Sequence, residues 1–147
     1  MFKSGRNLGT ILSAANKTKL PKNSAPGVYK IPCTCGITPY IGETKKKVNT
    51  RIYEHQKNKE KEEWHKSGVA LHSKECHGDI QFENTETVKA IKNNFDRKVR
   101  EALEIQKRDC HYLDGGMNTD KGQYVNTKFW IPFLKHLRKV EETRPNS

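Results

Sequence analysis

Long apolar runs are missing from this sequence. Stretches such as FWIPFL at positions 129–134 stop far short of the roughly 20 residues that cross a bilayer. The opening residues, MFKSGRNLGTILSAANK, hold no continuous apolar run of signal-peptide length. Both absences lead us to expect an intracellular chain. Cysteine is sparse as well, at Cys33, Cys35, Cys76 and Cys110. In an intracellular setting these are expected as free thiols or metal-bound thiolates rather than disulfides. Acidic residues are too few to balance the basic ones, 17 against 28, which leaves a formal charge of +11. That excess fits a polyanionic partner, with nucleic acid ahead of a membrane surface. Apolar residues make up only 33% of the 147 positions, so one compact domain with a small core is expected. A bound metal would add stability to such a domain. There is no internal repeat.

The order of elements can be read from patterns along the chain. Residues 1–26 carry Lys, Ser, Asn and Pro around one short apolar patch, Leu8 to Leu12, and read as an arm or linker. Val28–Ile31 and Tyr40–Ile41 are strand-like and are separated by a turn containing Gly36 and Pro39. Thr44 can cap a helix over Lys46–Lys59, and a second helix is expected over Glu62–Lys74. Asp79–Val88 alternates as a strand. A strong helix opens near Asp96 and ends near Cys110, and Asp114-Gly115-Gly116 is a turn. The apolar run from Asn126 is broken by Pro132, so residues 126–147 are a kinked helix or a packing tail. The domain proper is then 27–125. Lys57–Lys61 is a mixed-charge run of the solvated kind.

Helical angles sort the polar candidates. At about 100° per residue, Val48, Arg51, Ile52 and His55 share one side of the first helix, so an arginine and a histidine point where the sheet should lie. Arginine is rarely placed there without an anion to meet it. On the later helix, Phe95, Val99, Ala102 and Leu103 form one face with Ile105 at its edge. Glu101 borders that face and Glu104 lies on the far side, so a carboxylate working at the sheet surface would be Glu101.

GVY at Gly27–Tyr29, YIG at Tyr40–Gly42, Arg51, the glutamate of EALEI and a late asparagine, Asn118, occur in one order over about four fifths of the chain. This set resembles the GIY-YIG nuclease superfamily, with Val28 in place of Ile. GVYKIPCTCG, YIGET and REALEI are more narrowly similar to the endonuclease domain of Penelope-like retroelements. The resemblance implies an α/β (α+β) fold, a small three-stranded antiparallel sheet flanked by helices. It implies a nuclease that nicks one strand of double-stranded DNA and leaves a 3′-hydroxyl to prime reverse transcription. Partners would be the reverse transcriptase of the same polyprotein and its RNA, in the nucleus, with no membrane.

Catalytic candidates carried over are Tyr29, Tyr40, Arg51, Glu101 and Asn118, and His55 joins them from its place beside Arg51 on the helix. Glu101 would hold Mg²⁺ or Mn²⁺ with waters and substrate oxygens, and Arg51 would grip the scissile phosphate. Tyr29 would orient or activate water, and Tyr40 would orient water or phosphate. His55 is a second proton-transfer candidate, because a free imidazole titrates near neutral pH. Asn118 would make a backbone or phosphate contact. The narrower group places two cysteines and two histidines at a structural Zn²⁺, here Cys33, Cys35, His72 and His77, with Cys76 as a rival ligand. Lys45, Lys46 and Lys47 would neutralise DNA phosphates. Two other readings stand beside this one: a zinc-stabilised nucleic-acid-binding module without catalysis, and a GIY-YIG nuclease of homing or repair type.

Overall fold

A computed structural model describes residues 21–111, 116–119 and 131–144. The N-terminal part of the expected arm (1–20), most of the turn at 114–116 and the start of the C-terminal tail (126–130) lie outside the described residues. Within them the fold is α+β. Strands β1 (Gly27–Ile31), β2 (Tyr40–Thr44) and β3 (Glu86–Ala90) form an antiparallel sheet in the order β2-β1-β3. Among the described residues four α-helices accompany it: α1 (Val48–Glu60), α2 (Gly68–Glu75), α3 (Asn94–Arg108) and α4 (Ile131–Glu142).

Strand alternation divides the core in two. Tyr29 and Ile31 face one side of β1 and join Val48, Ile52, Val69, Ile80 and Met117, so this side is covered by α1 and α2. Val28 and Ile41 face the other and join Ile105 of α3 and Cys110. The central strand is therefore buried on both faces.

Three expectations are corrected by local chemistry. Thr44 does not cap α1, because its hydroxyl accepts from Lys46 N–H at 3.0 Å, ahead of the helix. The first amides of α1 donate instead to Ala25 and Asn23 carbonyls, at 3.2 and 2.9 Å. Asn23 also bonds Thr85 and Thr87, so residues 21–26 at the end of the expected arm or linker brace α1 against β3. The helix expected over 62–74 is split into a 3₁₀ turn, Trp64–Lys66, and α2. Ser67 between them is extended and accepts from Ala70 N–H, a serine N-cap that starts a new helix. The strand expected over 79–88 is a single bridge, Ile80 to Cys33, then a 3₁₀ turn and only then β3. Ile80 and Phe82 both join the α1–α2 side of the core, and the turn carries the chain onto the free edge of β1.

The helix α3 also differs from its pattern. Phe95 is exposed, while Arg97, Glu104 and Lys107 are buried with Ala102 and Ile105. The sheet covers one side of α3 and α4 covers another, so Glu104 does not face solvent. It is matched there by Arg100 and Arg108, at 2.8 and 3.0 Å, and Lys107 pairs with Glu141 of α4 at 2.7 Å. The expected kinked helix or packing tail is helical over the described Ile131–Glu142.

Arg97 ties the start of α3 to the sheet. It bonds Glu43 at 2.8 Å, the Lys92 carbonyl at 2.6 Å and Asn94 Oδ1 at 3.0 Å. Arg97→Met should cost about 2–3 kcal/mol in urea unfolding, below the cost of breaking a fully buried pair because Glu43 keeps access to water. A loss under 0.5 kcal/mol, on the order of an exposed surface pair, would show that the clamp contributes nothing.

Candidate active site and candidate metal centre

Tyr29 lies on the central strand directly across from Gly42. The two motif glycines are needed for close approach. A Cβ on Gly42 would come within 2.4 Å of the Tyr29 hydroxyl, and one on Gly27 within 2.2 Å of the Lys89 carbonyl. Without a side chain at 42, the Tyr29 ring can lie across β2 and meet α1.

There its hydroxyl is 2.7 Å from His55 Nε2, and the other ring nitrogen of His55 is 2.7 Å from Ser67 Oγ. Tyr40 stacks edge-on to His55, with ring centroids 5.4 Å apart, and lies 6.4 Å from Tyr29. The Arg51 guanidinium comes close enough to act on the Tyr29 hydroxyl, and Glu101 is near enough for its charge to be felt there. Tyr29, Tyr40, Arg51 and His55 are thus brought together, with Glu101 within electrostatic reach of Tyr29. Glu104 is held in its cation network at the α4 contact, away from the described tyrosine contacts.

Burial sets the charge states. It raises the Tyr29 pKa well above the ordinary phenol value; the Tyr40 charge adds to this and Arg51 opposes it. Burial, with the neighbouring Arg51 charge, lowers His55 to about 3. The expectation that His55 titrates near neutral pH is therefore corrected: this imidazole is neutral. Burial would lower Arg51, but its hydrogen bond to Glu54 together with the interactions of Tyr29 and Tyr40 outweighs that and raises it. Glu54 bonds Arg51 at 2.8 Å and also pairs with Lys46. Lys45, Lys46 and Lys47 are all exposed at the entry to α1.

Asn118 makes the backbone contact, one of its two expected roles. Its Oδ1 accepts from Ile41 N–H at 2.9 Å and its amide donates to the Ile41 carbonyl at 2.6 Å. It pairs with β2 as a strand residue would, and so fixes the position next to Tyr40.

Two site residues escaped the sequence reading. Ser67 stands just before the run GVAL, an N-cap signal that marks it as structured but not as a histidine partner. Glu54 lies three residues after Arg51, ordinary helical ion-pair spacing that does not by itself indicate a site.

The second cluster lies at the β1–β2 loop. Cys33, Cys35, His72 and Cys76 place their ligand atoms within 4.8 Å of one another and could hold a metal ion such as zinc. Tetrahedral zinc would put two sulfurs about 3.8 Å apart and a sulfur and nitrogen about 3.6 Å apart. Cys33 and Cys76 are separated by 3.8 Å, and Cys35 Sγ and His72 Nε2 by 3.4 Å. The sulfurs are much too far apart for a disulfide, and all four cysteines are free.

The expected ligand His77 is corrected to Cys76. Cys76 N–H donates to the His72 carbonyl at 2.8 Å, so the helical turn is complete at Cys76. Four residues on a helix return to within about 40° of the same face, and the extended backbone at Cys76 (ψ 139°) takes the chain out of the helix before His77. His77 is exposed. Gly78 N–H donates to Cys76 Sγ at 3.1 Å, a contact that suits a thiolate. Burial pushes the Cys33 thiol up to about 11. Burial also acts on Cys35, but hydrogen bonds to its sulfur outweigh it and lower that thiol.

Comparison with family models, with curated proteins and with solved structures finds no match to this chain. Among the described residues, no helix is long and apolar enough to cross a membrane.

Cys76→Ser should lose bound zinc and His77→Gln should keep about one zinc per chain, read by elemental analysis of purified protein. The reverse pattern would restore His77 as the ligand.

His55 also predicts an acid sensitivity. Its folded pKa of about 3 lies below the unfolded value of 6.5, so the unfolded chain binds the extra proton between the two. The stabilisation is complete above pH 6.5 and is lost as pH falls toward 3, up to about 4–5 kcal/mol in all. Melting curves should show a steeper loss over this range for the native chain than for His55→Gln; parallel curves would contradict a buried neutral imidazole.

Proposed function

We propose that the chain is a metal-dependent DNA endonuclease of the GIY-YIG type that nicks one strand and leaves a 3′-hydroxyl. The observation that carries the reading is the convergence of Tyr29, Tyr40, Arg51 and His55, with the Tyr29 hydroxyl 2.7 Å from the His55 ring. Hydrolysis of a phosphodiester needs positive charge on the phosphate, an oriented water and stabilisation of the departing oxygen. Arg51 supplies a fixed planar cation once a phosphate replaces Glu54 as its partner. The tyrosine hydroxyls orient the water and the phosphate. Glu101 is the carboxylate that would hold Mg²⁺ or Mn²⁺, and a bound divalent cation would add positive charge for the phosphate oxygens. Lys45, Lys46 and Lys47 give sequence-independent contact to the backbone of double-stranded DNA.

The Penelope-like resemblance extends the reading. The 3′-hydroxyl would prime reverse transcription in the nucleus, with the reverse transcriptase of the same polyprotein and its RNA as partners. The cysteines between the tyrosine motifs favour this over a nuclease of homing or repair type. The rival is a zinc-stabilised nucleic-acid-binding module without catalysis. It is favoured by the near-complete burial of Tyr29, whose pKa burial raises further from neutrality.

Nicking of supercoiled plasmid in Mg²⁺ separates these readings. Glu101→Gln should slow nicking by on the order of a hundredfold or more with little change in melting temperature. Glu104→Gln should keep nicking and melt lower, because it leaves Arg100, Lys107 and Arg108 without their shared anion. If Glu104→Gln abolishes nicking in folded protein and Glu101→Gln does not, the metal assignment fails. No nicking by the zinc-loaded native chain leaves the binding module.

A further inference from the structure

We infer that Glu54 is a latch on the anion site formed by Arg51 and Lys46, a specificity-determining residue that keeps free phosphate out and yields to the phosphates of bound DNA. Its two carboxylate oxygens are engaged separately. Oε2 accepts from Arg51 Nη1 at 2.8 Å, and Oε1 accepts from Lys46 Nζ. Arg51 precedes Glu54 by three residues, an ordinary helical spacing. Lys46 does not belong to that pattern. It stands before α1, eight residues from Glu54, and turns onto the same carboxylate. Two cations, one on the helix and one ahead of it, thus converge on one oxyanion, as they would on two oxygens of a phosphate.

The Arg51 guanidinium has neighbours at two depths. Inside, it hydrogen-bonds the buried Tyr29 hydroxyl. Outside, it meets Glu54, whose side chain is 31% exposed. An anion arriving from solvent therefore meets Glu54 first and has to displace it. Release needs only a rotamer change in a side chain that already touches water.

Displacement costs every ligand the same factor. A lone phosphate gains little more than the two cations that Glu54 gives up, so the exchange is nearly balanced and binding is weak. A duplex also places phosphates on the exposed Lys45 and Lys47. Those contacts hold it while the latch opens and raise the effective concentration of phosphate at Arg51. The latch sets a threshold that a polyanion crosses and a small phosphate does not. It stands on the ion-pair geometry alone, and its use in strand cleavage rests on the endonuclease reading above.

The test is binding of inorganic phosphate, followed by ³¹P NMR, to the zinc-loaded full chain without Mg²⁺. Glu54→Gln should bind phosphate about tenfold more tightly than the native chain. Adding Arg51→Gln to that variant should remove the gain. Glu60→Gln takes the same charge from the same helix, where it pairs with Lys57 at 3.0 Å, and should bind as the native chain does. Equal gains in Glu54→Gln and Glu60→Gln reduce the effect to net charge and overturn the inference, as does no gain in Glu54→Gln. Should Glu54→Gln fold poorly, the carboxyl ¹³C resonance of Glu54 in the native chain decides the matter. It should shift as a short DNA duplex is added, and a resonance that the duplex leaves unmoved overturns the latch. Phosphate binding released by Glu54→Gln in a chain that never nicks DNA supports the inference and overturns the endonuclease reading.

Discussion

The imidazole of His55 is held at both nitrogens, by β1 through Tyr29 and by the first residue before α2 through Ser67. The ring itself comes from α1. Three elements therefore meet at one buried, neutral group, and the position of the Tyr29 hydroxyl depends on all three. The helix α2 is only eight residues long and makes few bonds of its own. It is fixed at its start by Ser67 and at its end by His72 and Cys76, which face the Cys33–Cys35 loop. A metal ion at that second cluster would tie the β1–β2 loop to the far end of the helix whose cap orients His55. The candidate metal centre and the candidate active site are two ends of one short lever.

Charge is arranged around this frame in two ways. At the α3–α4 contact, Glu104 and Lys107 are buried and paired, Lys107 also reaching the exposed Glu141, and the pairing lets charged residues take positions an apolar seam would otherwise occupy. At the mouth of the site the pairing is shallower. Glu54 holds Arg51 and Lys46 at half-exposed positions, where a phosphate could compete for both. Lys45 and Lys47 stay in solvent. The net charge of +11 thus includes a cationic edge beside the tyrosines.

Much of this was legible in the sequence where one period dominated. The strands at Val28 and Tyr40 and the inward turn of Arg51 and His55 follow from alternation and helical angle, and they are what bring the candidate site together. The misplacements have physical causes. Ser67 cuts one expected helix in two because a capping hydroxyl is a stronger local signal than the helix formers on either side. Glu104 is buried because α4 covers a face that the apolar pattern of α3 does not mark. Cys76 stands in the cluster in place of His77 because it closes the last turn of α2 four residues after His72, and the chain leaves the helix before His77. Asn23 braces α1 against β3 from a segment that composition alone marks as a linker.

The central claim is that the group gathered around Tyr29 cleaves DNA. The most direct measurement is conversion of supercoiled plasmid to nicked circles in Mg²⁺ by zinc-loaded native chain and by Tyr29→Phe, with DNA affinity measured on the same samples. The account predicts nicking by the native chain and a loss of on the order of a hundredfold or more in Tyr29→Phe at equal affinity. Equal nicking by both proteins would contradict it, and so would a native chain that binds DNA and leaves every circle intact.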